Sequence, residues 1–307
     1  MNKANMARVL SEGTRGHEIQ SITLAKALAP QYQLEHITVA APWRWLLPYR
    51  MMGLGQRIRS QFNESGLSSR LIISTGRQMA GVGRWLKKNS PSEAKHVHIL
   101  NPGYYFRDID VVLLPEHDRN RYPNAITFRG NLHPFNNQWF KQHARTQNKA
   151  TIALFIGNPG NTYFKQQFKA DLQRIREVFK SFKLFLCGSP RLNHETQGFI
   201  RGLMKPAESL WLDVCDGDNP YQTLLANADK IFVTADSINM MNEAGASSAA
   251  VTLLARDYIP SKKHQRFMQS IEYRLSDFEG LDKAQPLPDP VKELLEHTDL
   301  LERLELT

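Results

Sequence analysis

Short apolar runs alternate with amphipathic stretches along the whole chain, and this alternation constrains the fold more than any other feature of the sequence. Apolar runs of about four to six residues are typical of buried strands, and amphipathic stretches are typical of helices. Alternating strands and helices build parallel sheets with helices on both faces. The sequence therefore predicts an α/β fold with doubly wound parallel sheets.

The predicted strands form two groups, separated by a polar stretch that runs from Asn137 to Ala150. In the first group we predict a helix over Glu18–Leu28 and strands over Ala7–Leu10, Ile37–Ala40, Leu71–Ser74, His96–Leu100, Val111–Leu114 and Ile126–Phe128. In the second group the predicted strands are Thr151–Ile156, Lys183–Cys187, Leu210–Val214, Lys230–Thr234 and Ala250–Leu254. The polar stretch is therefore the predicted domain boundary.

A length of 307 residues suits two domains of about 150 residues each. We predict a Rossmann-like domain over residues 1–140, a second over 150–285 and a C-terminal helix over 286–307, with the two domains facing across a cleft. In the second domain, one helix is predicted from apolar residues spaced 4, 4, 3 and 4 apart, which places them on one buried face. These residues are Phe164, Phe168, Leu172, Ile175 and Phe179.

The charge balance favours polyanionic partners, because 39 Lys and Arg residues against 30 Asp and Glu residues give a net charge of +9. Zinc-finger spacing and a basic-aromatic ladder are both absent from the sequence, so we expect no nucleic-acid partner. Two cysteines, Cys187 and Cys215, cannot build a disulfide framework. With no apolar run of about 18 residues, we expect a cytoplasmic protein.

Ligands of open parallel sheets bind beyond the carboxyl ends of the strands, so the loops there are the candidate sites. The loop Gly13–Gly16 opens a helix and could hold a phosphate or an anionic acceptor, or be only a tight turn. His17, in the first helical turn, is either a proton acceptor for a hydroxyl group or a structural histidine. Arg77 could bind a phosphate bidentately or simply cover the surface.

Two further loops carry ionisable residues. Glu116, His117 and Asp118 follow an apolar strand and could supply a general base or an acceptor clamp, or form a salt-bridged loop. After the strand that ends at Thr234, Asp236 or Ser237 caps a helix, and Glu243 follows about two turns later. A helix N-terminus can hold a diphosphate and a carboxylate can bind ribose hydroxyls; the alternative is an ordinary cap and an exposed glutamate.

Several of these motifs resemble the elongated-mitochondria fission family and its bacterial relatives, which are predicted GT-B proteins. The resemblance covers most of the chain and depends on four blocks of sequence. They are Gly16-His17-Glu18-x-Gln20, Ile73-Ser74-x-Gly76-Arg77, Pro115-Glu116-His117-Asp118 and Val233-Thr234-x-Asp236-Ser237-x-x-Met240-x-x-Glu243-Ala244. The last block is also similar to the donor-nucleotide region of the peptidoglycan N-acetylglucosaminyl transferase class, in which an acidic residue on this helix meets the ribose.

The resemblance implies a GT-B glycosyltransferase. The candidate loops named above carry no Asp-x-Asp metal cluster, so we expect no metal and no cofactor beyond the nucleotide-sugar donor. We expect the acceptor to be a glycan or, if the chain contacts a membrane, a lipid-linked glycan of the cell envelope such as the lipopolysaccharide core. Catalysis would fall to His17 or the Glu116–Asp118 triplet, with acceptor or phosphate contacts from Gly16, Gln20, Gly76 and Arg77. The implied donor contacts are Gly157, Asn158, Ser189, Arg191, Thr234, Asp236, Ser237, Met240 and Glu243.

Two loops depart from the family pattern, and two other functions stay open. Gly157-Asn158 stands where the family has two glycines, and Ser189-Pro190-Arg191 stands where it has Ser-Arg-Arg. Both departures concern the donor phosphate and sugar contacts. The alternatives are a nucleotide-sugar epimerase or hydrolase on the same fold, and a non-catalytic adaptor.

One segment predicts contact with an anionic membrane. Trp43, Arg44, Trp45 and Leu46 combine aromatic and apolar mass with positive charge, which suits a peripheral position on the inner face of the cell membrane. The alternative is an ordinary core segment with a basic rim.

Overall fold

A computed structural model of the chain describes residues 6–62, 70–90, 93–119, 121–145 and 150–306. The chain forms two compact units, the first made of residues 1–134 and 290–307 and the second of residues 135–289. Each unit holds one parallel sheet, so the predicted pair of Rossmann-like domains is confirmed. The units divide between Pro134 and Phe135, ahead of the polar stretch, of which residues 146–149 lie outside the described residues.

The first unit contains a six-stranded parallel sheet in the order β2-β1-β3-β4-β5-β6. Its strands are β1 (Ala7–Ser11), β2 (Tyr32–His36), β3 (Leu71–Thr75), β4 (Lys95–Ile99), β5 (Val111–Pro115) and β6 (Ala125–Phe128). The chain runs from β1 outward to the edge strand β2 and then returns to the other side of β1 as β3. The strand order therefore reverses between β1 and β3.

The second strand of this sheet is not where the apolar pattern predicted it. The prediction was Ile37–Ala40, whereas the strand is Tyr32–His36. As an edge strand, β2 is mostly half-buried or exposed and so lacks a continuous apolar run. Ile37 and Val39 instead join the core below the sheet.

Helices cover both faces of the first sheet. They are α1 (Arg15–Leu28), α2 (Trp43–Leu46), α3 (Gly55–Ile58) and α4 (Arg77–Lys88), with a 3-10 turn at Arg59–Gln61. On one face, Leu24 and Leu28 of α1 pack in a core with Ile73. On the other, Val82 and Leu86 of α4 pack in a core with Leu10 and with residues of α2 to α3.

The second unit contains a five-stranded parallel sheet in the order β11-β10-β7-β8-β9. Its strands are β7 (Thr151–Ile156), β8 (Lys183–Gly188), β9 (Ser209–Trp211), β10 (Lys230–Thr234) and β11 (Ala250–Leu254). Here the order reverses between β7 and β10. β9 is shorter than the predicted Leu210–Val214, because the Asp216 carboxylate accepts the Leu212 amide at 2.8 Å and begins a turn.

The helices of the second unit are α5 (Asn137–His143), α6 (Asn161–Gln166), α7 (Phe168–Val178), α8 (His194–Leu203), α9 (Tyr221–Asn227), α10 (Ile238–Ala246) and α11 (Lys262–Ser270). Short 3-10 turns lie at Val214–Asp216, Arg256–Tyr258 and Glu272–Arg274. The single helix predicted through Phe164 and Phe179 is two helices that meet at Gln167. Its five apolar residues are nevertheless all buried in one core, as their spacing predicted.

The end of the chain returns to the first unit. It forms two helices, α12 (Pro290–His297) and α13 (Leu300–Arg303), in place of the single helix predicted over 286–307. Leu294 and Leu300 are fully buried in the core that contains Leu24. Among the described residues, no helix combines the length and the apolar character needed to cross a bilayer.

Candidate ligand sites at the two strand-order reversals

The two points at which strand order reverses are where doubly wound sheets bind ligands, just beyond the carboxyl ends of the strands. We call the end of β1 and β3 the first site and the end of β7 and β10 the second site. Most of the residues predicted from the sequence fall at one of these two places. Each site lies within one unit.

Asp236 organises the second site. Its carboxylate is 8% exposed and accepts the Thr234 hydroxyl at 2.7 Å and the Asn158 amide at 2.7 Å. The Thr234 hydroxyl oxygen in turn accepts the Gly157 amide at 2.7 Å. A Cβ at position 157 would overlap the Asp236 carboxylate, so glycine is required there. These bonds tie the end of β10 to the loop after β7.

The loop after β8 joins the same cluster through Arg191. Its guanidinium lies 3.2 Å from the Asp236 carboxylate and its side chain is 54% exposed. Ser189 accepts the Arg191 amide at 3.2 Å, and the Asn158 side chain donates to the Arg191 carbonyl at 3.4 Å. Residues from the ends of three adjacent strands therefore converge, and Asp236 balances the charge of Arg191 before any ligand binds.

Asp236 and Ser237 have different roles at the start of α10. Ser237 is the cap, since its side chain accepts the Met240 amide, whereas Asp236 bridges the loops. Met240 itself packs against the core. His264 of α11 also reaches this site, with its Nε2 donating to the Asp236 carbonyl at 2.9 Å. Sequence reasoning missed His264, because no motif links it to a loop 28 residues earlier.

Glu243 is buried, with 9% of its surface exposed. The Tyr221 hydroxyl donates to its Oε2 at 2.5 Å, and the Tyr221 ring packs 4.5 Å from the ring of Phe155. Burial and the neighbouring carboxylate raise the pKa of Tyr221 well above its usual value, so the hydroxyl keeps its proton. The interpretation of Glu243 as an exposed helix residue is therefore wrong. Sequence reasoning missed Tyr221, because no motif links it to Glu243.

The first site is centred on His17, in the first turn of α1. Its Nδ1 lies 3.3 Å from the Glu12 carboxylate, and both side chains are partly exposed. Gly76, with a φ of +85°, lies against the ring, and a Cβ there would come within 2.9 Å of it. The Ser21 and Thr75 hydroxyls, 2.5 Å apart, join α1 to the end of β3. His17 is thus held between Glu12 and Gly76.

Two fully buried histidines lie below the first site on β4. Ser74 is 2.8 Å from His96 Nε2 and 2.8 Å from His98 Nδ1, so one hydroxyl joins both rings. Burial, with a smaller effect of His17, lowers the pKa of His98 to about 3. Burial also lowers the pKa of His96 well below its usual value. Sequence reasoning missed this group, although Ser74 and His98 are paired neighbours on adjacent strands.

Three other residues predicted to contact a ligand at the first site already form hydrogen bonds within the first unit. They are Gly16, Gln20 and Arg77. Gln20 is buried, and its amide donates to the Gly16 carbonyl at 3.3 Å. Arg77 donates to the Leu47 carbonyl at 3.1 Å, and its guanidinium lies 5.2 Å from the centre of the Tyr49 ring. Arg77 therefore holds the chain that follows α2.

The Glu116–Asp118 triplet lies at the end of β5, separated from β3 by β4. Glu116 is exposed, with its carboxylate 3.9 Å from the Arg129 guanidinium. His117 is buried and Asp118 is half-buried. Sheet order thus brings His17 and Gly76 together but leaves the triplet two strands away.

Metal ligands were not predicted at either site. Across the part of the chain that the structure describes, no group of three or more His, Cys, Asp or Glu side chains is placed to hold a metal ion.

Two Rossmann-like domains, each with polar loops at its strand-order reversal, define an α/β protein of the GT-B fold type. Two solved structures have this fold at low sequence identity. S. aureus MnaA with UDP is 11% identical, covers 99% of this chain and 98% of its own, and gives a TM-score of 0.55. The UDP-GlcNAc 2-epimerase of Neisseria meningitidis bound to UDP-GlcNAc is 11% identical, with coverages of 98% and 100% and a TM-score of 0.52.

Within this class, the chain belongs to the mitochondrial fission ELM1 family, whose sequence model matches residues 15–289. The predicted family is confirmed. The chain is also similar to the uncharacterized protein RP120 of Rickettsia prowazekii, at 23% identity over 310 residues, covering 86% of this chain and 87% of that protein.

Proposed function

We propose that this protein is a glycosyltransferase that moves a sugar from a nucleotide-activated donor to a glycan or lipid-linked acceptor, with the donor bound by the second unit. The observation that carries the proposal is the convergence of three strand ends at the second site. There a half-exposed guanidinium, a helix N-terminus and a buried carboxylate lie on neighbouring elements.

The diphosphate of the donor would lie at the N-terminus of α10. Backbone amides and the helix dipole favour an anion there. Arg191 is half-exposed and makes one contact of 3.2 Å with Asp236. It can turn toward a phosphate because the Asp236 carboxylate keeps its hydrogen bonds from the Thr234 hydroxyl and the Asn158 amide. It would neutralise the leaving diphosphate without a metal ion.

The ribose would bind at Glu243. A carboxylate accepts hydrogen bonds from two neighbouring hydroxyls, and Tyr221 fixes one of its oxygens. The protonated Tyr221 also disfavours movement of Glu243 toward solvent. Charged-acceptor hydrogen bonds contribute roughly 1.5 to 3 kcal/mol each, so loss of the Glu243 carboxylate should weaken nucleotide binding measurably.

His17 would take the proton from the acceptor hydroxyl. The Glu12 carboxylate lies 3.3 Å from Nδ1, and a hydrogen bond formed between them when the acceptor binds would leave Nε2 to act as the base. In this respect Glu12 is a positioning residue. The Glu116–Asp118 triplet remains the second candidate for the base.

The two structures of the same fold support a nucleotide sugar as the ligand, since one contains UDP and the other UDP-GlcNAc. Both similarities concern the fold, at 11% identity. The choice between sugar transfer and epimerisation therefore depends on experiment.

Calorimetry with uridine, guanosine, cytidine and thymidine diphosphates and their sugars tests the donor site. Glu243→Ala should weaken binding of the best nucleotide at least about tenfold. Glu243→Gln keeps an acceptor for the Tyr221 hydroxyl and so separates loss of charge from loss of packing. Glu177, an exposed helix glutamate of the same unit, supplies the control variant Glu177→Ala. Equal affinity for ribose and deoxyribose forms in both the normal and Glu243→Ala proteins would remove the proposed ribose site.

Product analysis by NMR tests the reaction. We expect the donor sugar to be stable alone and to be transferred when a lipid-linked glycan or lipopolysaccharide core is added. An epimerised sugar, or free sugar without acceptor, would replace the proposal by an epimerase or a hydrolase. Absence of binding to every nucleotide tested would favour a non-catalytic adaptor.

A further inference from the structure

The chain between β2 and β3 exposes large apolar side chains. Met52 is 90% exposed, Trp45 is 71% exposed and Tyr49 is 50% exposed, and Leu46 lies beside them. We call the segment 43–59 the apolar-basic loop. Exposure on this scale costs free energy in water, because an apolar side chain stabilises a protein only when it is buried.

The apolar-basic loop is firmly attached to the first unit. Leu47 and Leu54 are fully buried in the core below the sheet. The Leu47 and Pro48 carbonyls accept hydrogen bonds from Arg77 and Arg84 of α4. The exposed residues therefore lie on a packed loop, and their exposure does not result from missing contacts.

Trp43 has a supporting role in this loop. It is half-buried, its indole N–H donates to the Met52 carbonyl at 2.9 Å, and the Arg57 guanidinium lies 5.6 Å from its ring. Trp43 therefore supports the backbone at Met52, and its predicted membrane contact stays a prediction. Trp45 and Leu46 keep the exposure that the prediction requires.

The charged side chains of the apolar-basic loop are all positive. Four arginines, and no Asp or Glu, lie between Glu35 and Glu64. All four are exposed: Arg44, Arg50, Arg57 and Arg59. Exposed aromatic and apolar side chains flanked by arginines match a surface with negative headgroups above hydrocarbon. A protein partner of ordinary composition would not require such a one-sided charge.

We propose that the apolar-basic loop docks the first unit on an anionic phospholipid bilayer, with Trp45, Leu46, Tyr49 and Met52 entering the interface and the four arginines contacting lipid phosphates. Docking does not depend on the proposed activity. If both hold, Arg77 links them, because it follows Gly76 of the first site and binds the Leu47 carbonyl of the loop. A lipid-linked acceptor would then reach the first site from the bilayer.

Sedimentation of the full chain with vesicles tests docking. One set of vesicles is phosphatidylcholine alone, and the other is an equimolar mixture with phosphatidylglycerol. We expect binding to the anionic set and its loss near 1 M salt, where the Debye length shortens to about 3 Å. Trp45→Ser with Met52→Ser should weaken binding at least about tenfold. Arg44, Arg50 and Arg57 changed to Gln should weaken it on the order of a hundredfold, at about one kcal/mol per arginine.

Matched controls come from exposed residues of the second unit. Val214→Ser with Tyr273→Ser removes similar apolar exposure, and changing Lys169, Lys180 and Lys283 to Gln removes the same charge. Equal losses in control and test variants would overturn the proposal, as would the absence of binding to anionic vesicles. If ultracentrifugation shows a dimer that Trp45→Ser with Met52→Ser dissociates while vesicle binding is unchanged, the loop is an interface between two copies and the membrane proposal is wrong. Nucleotide affinity, measured in parallel, should be the same in all variants.

Discussion

Each site lies at the strand-order reversal of its own parallel sheet, yet the two sites satisfy their polar groups differently. At the second site a carboxylate gathers the bonds, because Asp236 accepts from Thr234, Asn158 and Arg191. At the first site the buried groups are imidazoles. His98 Nε2 and His96 Nδ1 are buried and have no hydrogen-bond partner among the described residues.

This difference predicts different properties. A carboxylate that joins three strand ends fixes the loops before a ligand arrives, so the second site is preorganised. Buried imidazoles avoid the cost of a buried charge only as long as they stay neutral. The first site is therefore sensitive to proton concentration, while the second site depends on one charged residue. Three experiments test this contrast.

The largest expected effect is on turnover. If His17 is the base, His17→Ala should lower turnover by about 10²- to 10⁴-fold while donor affinity is unchanged. Glu12→Gln should cause a smaller loss, since it removes only the orienting carboxylate. The exposed His36, 3.3 Å from Glu18, supplies the control His36→Ala. Steady-state kinetics with unaltered activity in His17→Ala would move the search to Glu116 and Asp118.

The next effect is on stability in acid. The pKa of His98 is about 3 and that of His133, also in the first unit, is about 4. Both values are depressed by burial, whereas the unfolded chain binds these protons near pH 6.5. Stability of the first unit should therefore fall as pH drops from about 6.5 toward 4, by up to a few kcal/mol per histidine.

Hydrogen exchange followed by mass spectrometry reads each unit separately. As the pH falls, the backbone amides of β3 and β4 should lose protection from exchange before those of β7 and β10. The reason is that His96, His98 and His133, whose pKa values are depressed, all lie in the first unit. His98→Asn should flatten the pH dependence of the first unit. Equal loss of protection in both sheets would refute the contrast.

The smallest expected effect is on thermal stability. Asp236→Asn removes the charged acceptor of the second site, which should cost about 1.5 to 3 kcal/mol and lower Tm by several degrees. Gly157→Ala should act in the same direction, because its Cβ would push the carboxylate away. Asp218→Asn, at an exposed aspartate of the second unit, is the control for charge. An unchanged Tm in calorimetry would show that the Asp236 bonds contribute little.

The sequence predicted the fold wherever one physical signal dominated. Thr151–Ile156 and Lys230–Thr234 match the observed strands because each lies inside a sheet and is buried on both faces. Ala250–Leu254 also matches, because all five of its residues are buried although it is an edge strand. The prediction failed at β2 because an edge strand needs no continuous apolar run. It also joined α6 to α7, since periodicity reports which residues are buried and not where the backbone breaks at Gln167.

Sequence reasoning indicated where the candidate sites lie, but not which residues surround them. Loop position placed Asp236 and His17 at the two strand-order reversals, because parallel strands share one carboxyl end. The partners of these residues could not be inferred, since Glu12, Tyr221 and His264 carry no motif. The burial of Glu243 could not be predicted either. A glutamate two turns into a helix has the same sequence pattern whether it is exposed or, like Glu243, 9% exposed and so buried.

The return of α12 and α13 to the first sheet has a consequence for how the protein is made. The core of the first unit takes Leu294, Leu300 and Leu304 from the end of the chain, after the whole second unit has been synthesised. During translation, residues 135–289 can leave the ribosome and fold as an uninterrupted segment. At that stage the core of the first unit still lacks Leu294, Leu300 and Leu304. The first unit is thus completed only after the second has been synthesised.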